Sequence, residues 1–124
     1  MRSRVAAMLR RLRWDERAAA SFLGSYLTEP KPMVSFEPPA SPPAIAAFRR
    51  AAARRGLRLD RRTQLLYDDR QLFINGEAMA WPARGAALLR RLANRRRLDG
   101  AELDGSAALA LLYRWYCDGY LQFD

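Results

Sequence analysis

The chain has 124 residues, of which 22 are basic and 13 are acidic, so that it carries a formal charge of +9. Half of its residues are apolar, which excludes a disordered chain, and no apolar run is long enough to predict a membrane span. The absence of histidine and the presence of a single cysteine, Cys117, exclude a histidine-based triad and a histidine- or thiolate-rich metal site. Since one cysteine cannot form an internal disulfide, the composition favours a reducing cytoplasm.

The first 29 residues predict two short amphipathic helices. The first, over residues 2–12, spaces its apolar side chains at i, i+3, i+4 and i+7, and the second, over 16–28, follows an N-cap at Asp15. Two such helices cannot enclose a core between them, so we expect their apolar faces to meet another surface, such as a second copy of the chain. The side chains expected at this interface are Phe22, Leu23, Tyr26 and Leu27.

A proline-rich stretch over residues 30–43 follows, with six prolines in fourteen residues. Proline fixes φ and lacks an N–H, so the stretch is predicted to be extended and stiff. We interpret it as a linker, and Val34 and Phe36 within it indicate that it lies along a surface. The predicted organisation is therefore a helical segment over 1–29, a linker over 30–43 and a C-terminal domain over 44–124.

The first helix predicted for the C-terminal domain runs to about Arg55. Ser41 is its expected N-cap, Pro42 its first helical residue, and Gly56 its end. Its apolar residues are expected to face inward and its arginines to face water. The inward residues are Ile45, Phe48 and Ala52, and the outward ones are Arg49, Arg50, Arg54 and Arg55.

Strand signals dominate the middle of the domain. The Asn75-Gly76 pair lies between apolar runs and is the strongest hairpin signal, and Asp68-Asp69-Arg70 is a second turn. Together they predict a small antiparallel meander. The predicted elements are strands near 57–59, 65–67, 71–74 and 77–81, helices over about 83–94 and 106–117, and a final strand over 120–123.

The order helix, meander, helix, helix, strand predicts an α+β fold of the size of a winged-helix-like domain. Such a domain in a basic chain suggests DNA binding, but the helix over 106–117 carries only Arg114 among apolar residues. A helix that is apolar all round is buried and cannot read base edges. One arginine cluster predicts either phosphate contacts or a solvated helix end. Its members are Arg90, Arg91, Arg95, Arg96 and Arg97.

The order of several segments resembles a known family. After the aromatic helix that ends near Tyr26-Leu27 come Glu37-Pro-Pro-Ala-Ser-Pro-Pro43, a helix, and Leu66-Tyr-Asp-Asp-Arg-Gln-Leu-Phe-Ile-Asn-Gly-Glu77. The chain closes with Leu112-Tyr-Arg-Trp-Tyr-Cys-Asp-Gly-Tyr-Leu-Gln-Phe123. From about Trp14 onward, this series resembles the C-terminal part of the bacterial cupin/JmjC-type ribosomal oxygenases, which are Fe(II)- and 2-oxoglutarate-dependent arginine hydroxylases of a ribosomal protein.

The resemblance implies a parent protein in which a double-stranded β-helix domain carries a His-x-Asp…His iron site, followed by dimerisation helices and a winged-helix-like domain. Because this chain has no histidine, none of those ligands can be placed in it. Fe(II) and 2-oxoglutarate are therefore implied only for the parent, as is the ribosomal protein substrate. We expect a cytoplasmic, non-catalytic accessory fragment that forms a homodimer through its N-terminal helices. The alternative is a free-standing basic winged-helix protein that binds nucleic acid or the ribosome.

Overall fold

The computed structural model describes residues 16–32, 34–103 and 108–124. This described part is an α+β fold, as predicted, with four α-helices, one 3-10 helix and six short strands. Contacts divide the chain into two compact units, and each unit is built from two separate stretches of sequence. The first unit comprises residues 1–29 and 64–80, and the second comprises residues 30–63 and 81–124.

The first unit is a helix packed on a three-stranded antiparallel sheet. Helix α1 spans Glu16–Thr28 and confirms the second predicted helix. In the sheet, Leu66 lies opposite Phe73, which in turn lies opposite Ala78, and α1 contacts all three strands. The strands lie in the order β2, Leu65–Tyr67, then β3, Gln71–Ile74, then β4, Glu77–Ala80.

Both predicted turns of this sheet are confirmed. Asn75 and Gly76 have φ values of 46° and 90°, and two positive φ angles are what a two-residue type I′ hairpin turn requires. In the preceding turn, Oδ1 of Asp68 accepts hydrogen bonds from the N–H groups of Arg70 and Gln71, both at 2.8 Å. The meander of β2, β3 and β4 therefore has the connections that the sequence predicts.

The second unit contains a three-stranded sheet assembled from distant parts of the chain. Its central strand β1, Leu57–Leu59, is antiparallel to β5, Arg97–Leu98, on one side and to β6, Leu121–Phe123, on the other. Strand β1 therefore lies in a different sheet from the meander of β2, β3 and β4. A turn closed by the Thr63 N–H on the Asp60 carbonyl, at 2.9 Å, ends β1, so that its two edges pair with later strands.

The helices of the second unit enclose an apolar core around Phe48 and Trp115, both completely buried. The ring of Phe48 lies 5.2 Å from that of Tyr113, 5.1 Å from that of Tyr116 and 5.7 Å from that of Phe123. This cluster joins helix α2, Ile45–Arg55, and helix α4, Leu109–Cys117, to strand β6. The helices are α2, Ile45–Arg55, α3, Ala86–Arg95, the 3-10 helix Gly100–Leu103, and α4, Leu109–Cys117.

Helices α2 and α3 begin later than the sequence predicts. Helix α2 starts at Ile45 because Pro43 disfavours a helical conformation at Pro42. It has no side-chain cap. Ile45 consequently lies at the helix end and is 43% exposed rather than inward-facing. Helix α3 starts at Ala86, since the preceding Gly85 has a left-handed conformation with φ of 88°.

The proline-rich stretch over 30–43 belongs to the second unit and lies along its surface. The ring of Phe36 meets that of Tyr120 edge-on at 5.0 Å, and the Ser35 carbonyl accepts a hydrogen bond from Arg62 at 2.7 Å. These contacts confirm the expectation for Phe36. The division by role into 1–29, 30–43 and 44–124 stays a prediction, and the compact units follow other boundaries.

Two further sequence predictions, the helix over 2–12 and its successor's N-cap at Asp15, concern residues that the structure does not describe. Within the described ranges, no helix has the length and apolar character that crossing a bilayer requires.

Candidate interaction surfaces

Helix α1 carries a row of large apolar side chains that no described part of the chain covers. Phe22 is 71% exposed, Leu23 54%, Tyr26 65% and Leu27 56%. These are the four residues expected at an interface. A contiguous apolar patch of this kind on a folded chain is typical of a surface that another protein covers.

The opposite face of α1, which packs on the sheet, is made of small residues. Gly24 is fully packed against the side chain of Phe73, and a Cβ atom at this position would come within 2.5 Å of the ring. Thr28, also buried, donates a hydrogen bond from Oγ1 to the Gly24 carbonyl and accepts one from the Gly76 N–H, both at 2.9 Å. The face of α1 that carries Gly24 and Thr28 therefore packs on the β3–β4 hairpin. As a result, the face with the large apolar side chains points away from the sheet.

A cleft of about 430 Å³ adjoins the exposed face of α1 within the first unit. Its aromatic wall is Phe22 and Tyr26, and its polar wall includes Glu29 and Glu77. Asn75 lines it as well, with Oδ1 accepting the Gln64 N–H at 2.9 Å. The described stretches 16–29 and 64–80 hold five acidic and two basic residues, so the described part of this unit is acidic, whereas residues 1–15 add five arginines and one aspartate.

The five arginines predicted to contact phosphates all have partners within the second unit. Two of them share one carboxylate, since Glu102 lies 3.0 Å from Arg91 and 3.4 Å from Arg95. Arg97 pairs with Asp124 at 2.9 Å, and the Arg90 guanidinium lies 5.0 Å from the centre of the Trp81 ring.

Arg96 has a structural position at the end of α3. Its φ is 65°, and its guanidinium donates hydrogen bonds to the carbonyls of Asp60 and Thr63 at 3.0 and 2.9 Å. It therefore stabilises the turn after β1. The structure brings the five arginines of the cluster into one region at the end of α3 and gives each of them an internal contact.

A buried carboxylate, which the sequence pattern did not single out, lies at the same turn. Asp60 is 5% exposed and accepts hydrogen bonds from the Arg62 N–H, Nε and Nη2 and from Nε2 of Gln122, all within 2.8–3.0 Å. The hydrogen bonds from Arg62 hold the pKa of Asp60 at about 2, below its ordinary value of 3.8. A carboxylate fixed in its charged form by these donors is a structural group rather than a general base.

Sequence reasoning treated the arginines of α2 only as a solvated face. Arg49, Arg50, Arg54 and Arg55 are all exposed, and the segment Ile45–Arg55 contains no acidic residue. Arg55 lies over the Phe123 ring at 5.2 Å. Arg49 and Arg50 line an apolar cavity of about 430 Å³ together with Ile45, Ala46, Ala53 and Leu109. The signal that could have drawn attention to this surface is the absence of acidic residues along the helix.

The donor set of the described residues does not fit an iron centre. In the ranges that the structure describes, no three or more Cys, Asp or Glu side chains converge as metal ligands would, and the whole sequence lacks histidine. The facial triad of an Fe(II) oxygenase requires two histidines and a carboxylate.

The comparisons with known proteins concern both sequence and structure. A family model described as ROXA-like winged helix matches residues 11–122, and no curated protein sequence matches the chain. Solved structures that are similar to it include a crystal structure of Escherichia coli ribosomal oxygenase YcfD, with 22% identity and a TM-score of 0.74. A second structure, of E. coli YcfD in complex with cobalt and 2-oxoglutarate, has 20% identity and a TM-score of 0.75.

The matches cover nearly the whole chain but only part of the proteins compared. Both structures align with 98% of this chain and with 35% of their own length. The chain thus spans about a third of the structures that it matches. At these identities the structural likeness shows a shared fold, and the family model identifies this fold as a winged helix.

Proposed function

The chain belongs to the ROXA-like winged-helix family, and from that premise we propose that it is a non-catalytic accessory and dimerisation fragment of a cytoplasmic ribosomal oxygenase. The similar E. coli structures support the parent class, because one is described as a ribosomal oxygenase and another binds cobalt and 2-oxoglutarate. In this proposal Fe(II) and 2-oxoglutarate belong to a catalytic domain of the parent, and a ribosomal protein is its substrate. The fragment contributes surfaces to the parent enzyme and no iron ligands.

The observation that carries the dimerisation role is the inverted packing of α1. An amphipathic helix normally buries its large apolar side chains, yet α1 packs with Gly24 and Thr28 and exposes Phe22 and Tyr26. Burying apolar surface contributes roughly 25 cal/mol per Å², so an exposed row of four large side chains is a substantial driving force for association. We propose that Phe22, Leu23, Tyr26 and Leu27 meet the same face of a second copy.

We also propose weak phosphate contacts for the arginine cluster at the end of α3, which consists of Arg90, Arg91, Arg95, Arg96 and Arg97. Their ion pairs and ring contact use some of their bonding capacity. We expect any nucleic-acid affinity of this cluster to be indifferent to sequence and to fall steeply with salt.

The experiment for the dimer is the substitution Phe22→Asp. We expect the wild-type chain to have the mass of two copies by light scattering and the variant to have the mass of one, because a carboxylate cannot be buried unpaired in an apolar interface. Ile45→Asp is the matched control, since Ile45 is another exposed apolar residue, on α2, and lies outside the proposed interface. A wild-type chain that is monomeric at every concentration, or a dimeric Phe22→Asp variant, would show that the interface is wrong.

A further inference from the structure

The outer face of α2 carries a row of three arginines for which the described residues supply no partner. Arg49, Arg50 and Arg54 are exposed, and among the described residues none of them contacts a carboxylate. Arg50 and Arg54 are four residues apart, so they lie on one face of the helix, where like charges destabilise it by about 0.2–0.5 kcal/mol. The helix dipole favours Arg54 in the last turn, but the repulsion within the row remains, and an external anion would relieve it.

The contrast with the end of α3 makes this surface the stronger anion site. There, Glu102 neutralises Arg91 and Arg95, and Asp124 neutralises Arg97. An arriving phosphate would have to compete with these carboxylates. On α2 no such competition exists in the described part of the chain, so the full charge of three arginines is available to a ligand.

The cavity next to this row indicates what kind of polyanion fits. Arg49 and Arg50 stand at its rim, and its remaining lining, Ile45, Ala46, Ala53 and Leu109, is aliphatic. Its volume of about 430 Å³ provides an apolar recess directly beside two guanidinium groups. A single-stranded nucleic acid offers this combination, with an anionic phosphate on every nucleotide and an uncharged base and sugar between phosphates.

We propose that the outer face of α2 is a binding surface for single-stranded RNA, in which Arg49, Arg50 and Arg54 contact successive phosphates. The eleven-residue helix is about 16 Å long, enough to follow several nucleotides. Guanidinium groups match phosphate geometry, and the aliphatic recess offers no polar groups with which to read a base. The choice of RNA rests on the proposed function, since a ribosomal oxygenase reaches its protein substrate among ribosomal components. Binding is accordingly independent of base sequence.

The test compares two triple variants that remove the same charge. One is Arg49→Ala with Arg50→Ala and Arg54→Ala, and its matched control is Arg91→Ala with Arg95→Ala and Arg97→Ala. The probe is a fluorescent oligouridine of about 12 nucleotides, within the range of known single-strand site sizes. Its dissociation constant is measured by anisotropy at several salt concentrations between roughly 50 and 200 mM.

The α2 triple variant is expected to bind at least about tenfold more weakly at the lowest salt, and the slope of log K against log salt to fall by about 2, or about 0.7 per lost phosphate contact. The control should change both quantities much less. Equal losses of affinity in the two variants would mean that binding depends only on the net charge of the chain. A larger loss in the control would mean that the phosphate contacts lie at the end of α3. Either result overturns the proposal.

Two further measurements separate the remaining explanations. Circular dichroism must show that both triple variants retain their helices, and a variant with Lys at all three α2 positions should recover most of the binding, because it restores the charge. Polyglutamate serves as a competitor, and its binding more tightly than the oligouridine would overturn RNA in favour of an acidic protein. Since none of these residues lies on α1, the dimer measurement with Phe22→Asp fails or succeeds independently.

Discussion

Asp60 shows how one residue organises the turn that ends β1. Its carboxylate is the common acceptor for three groups of Arg62 and for Gln122, while its backbone N–H donates to the Tyr120 carbonyl at 2.9 Å. A buried carboxylate with this many donors is stabilising only while it is ionised. The turn is consequently linked to the region of strand β6 through its hydrogen bonds with Gln122 and Tyr120.

Replacing this carboxylate should make stability less dependent on pH. The folded-state pKa of Asp60, about 2, lies below the ordinary 3.8, so its contribution is complete above about pH 4 and is lost as the pH falls toward 2. Asp60→Asn is expected to lower the free energy of unfolding by about 2 kcal/mol at neutral pH and to flatten its decline between pH 4 and 2. Urea titrations at a series of pH values measure both effects.

Asp69→Asn is the control for this prediction, because Asp69 lies exposed in a turn. Its effect should stay within about 0.5 kcal/mol. If Asp60→Asn unfolds with the wild-type free energy at neutral pH, the network with Arg62 does not stabilise the chain.

At the scale of elements, the docking of α1 depends on the closeness that Gly24 allows. Glycine in the middle of a helix is unfavourable by about 1 kcal/mol relative to alanine. Gly24→Ala should nevertheless destabilise the first unit by about 1–3 kcal/mol, because the added methyl group meets the ring of Phe73, which is itself buried and cannot move away. Thermal unfolding followed by circular dichroism measures the change.

A second substitution distinguishes steric overlap from other causes. Gly24→Ala combined with Phe73→Leu should regain part of the lost stability, since leucine lacks the ring atoms that the methyl group meets. A Gly24→Ala chain that is more stable than the wild type would mean that helix propensity outweighs packing, and that α1 lies farther from β3.

The same helix marks a limit of prediction from sequence. Its bounds follow from the N-terminal pattern and the following prolines, and the structure has them at Glu16–Thr28. The periodicity of Phe22, Leu23, Tyr26 and Leu27 gives one apolar face but not what covers it. Helix α1 packs on the sheet through the face that carries Gly24, because this residue is small enough to allow close contact. Volume matching between helix and sheet leaves no periodic signal in the sequence, so this choice of face could not be predicted.

The sequence predicts strand pairing that a short turn sets, but it does not predict pairing between strands that lie far apart along the chain. The β3–β4 hairpin follows from the Asn75-Gly76 pair, because a two-residue turn fixes its partners locally. Strand β1 pairs with strands that lie about 40 and 60 residues later in the sequence. No turn residue encodes such pairings, so they depend on the packed core. The exposure of the α2 arginines is likewise predicted from periodicity. Only the structure shows that no described residue pairs with Arg49, Arg50 or Arg54.

For the whole molecule, the interleaving of the two units predicts how the chain responds to truncation. Residues 1–29 belong with residues 64–80, so a chain over 30–124 keeps the β2–β4 sheet but lacks the helix that packs on it. We expect this truncated chain to expose Phe73 and to bind a hydrophobic dye, whereas a chain over 16–124 does so much less. Hydrogen exchange should show the matching loss of protection in β3. Equal dye binding and equal exchange would contradict the packing of α1 on this sheet.

The same interleaving has a consequence for the timing of synthesis on the ribosome. Helix α1 is made before the strand on which it packs, because β3 begins at Gln71, 43 residues after the helix ends at Thr28. At about 5–20 residues per second, α1 must wait roughly 2–9 s before the surface on which it packs exists. During that interval both of its faces are exposed, the large apolar one and the small one. A nascent chain of this protein therefore exposes an apolar helix before the sheet on which it packs has formed. During this time the helix can bind a chaperone or the same helix of a neighbouring nascent chain on the same messenger RNA.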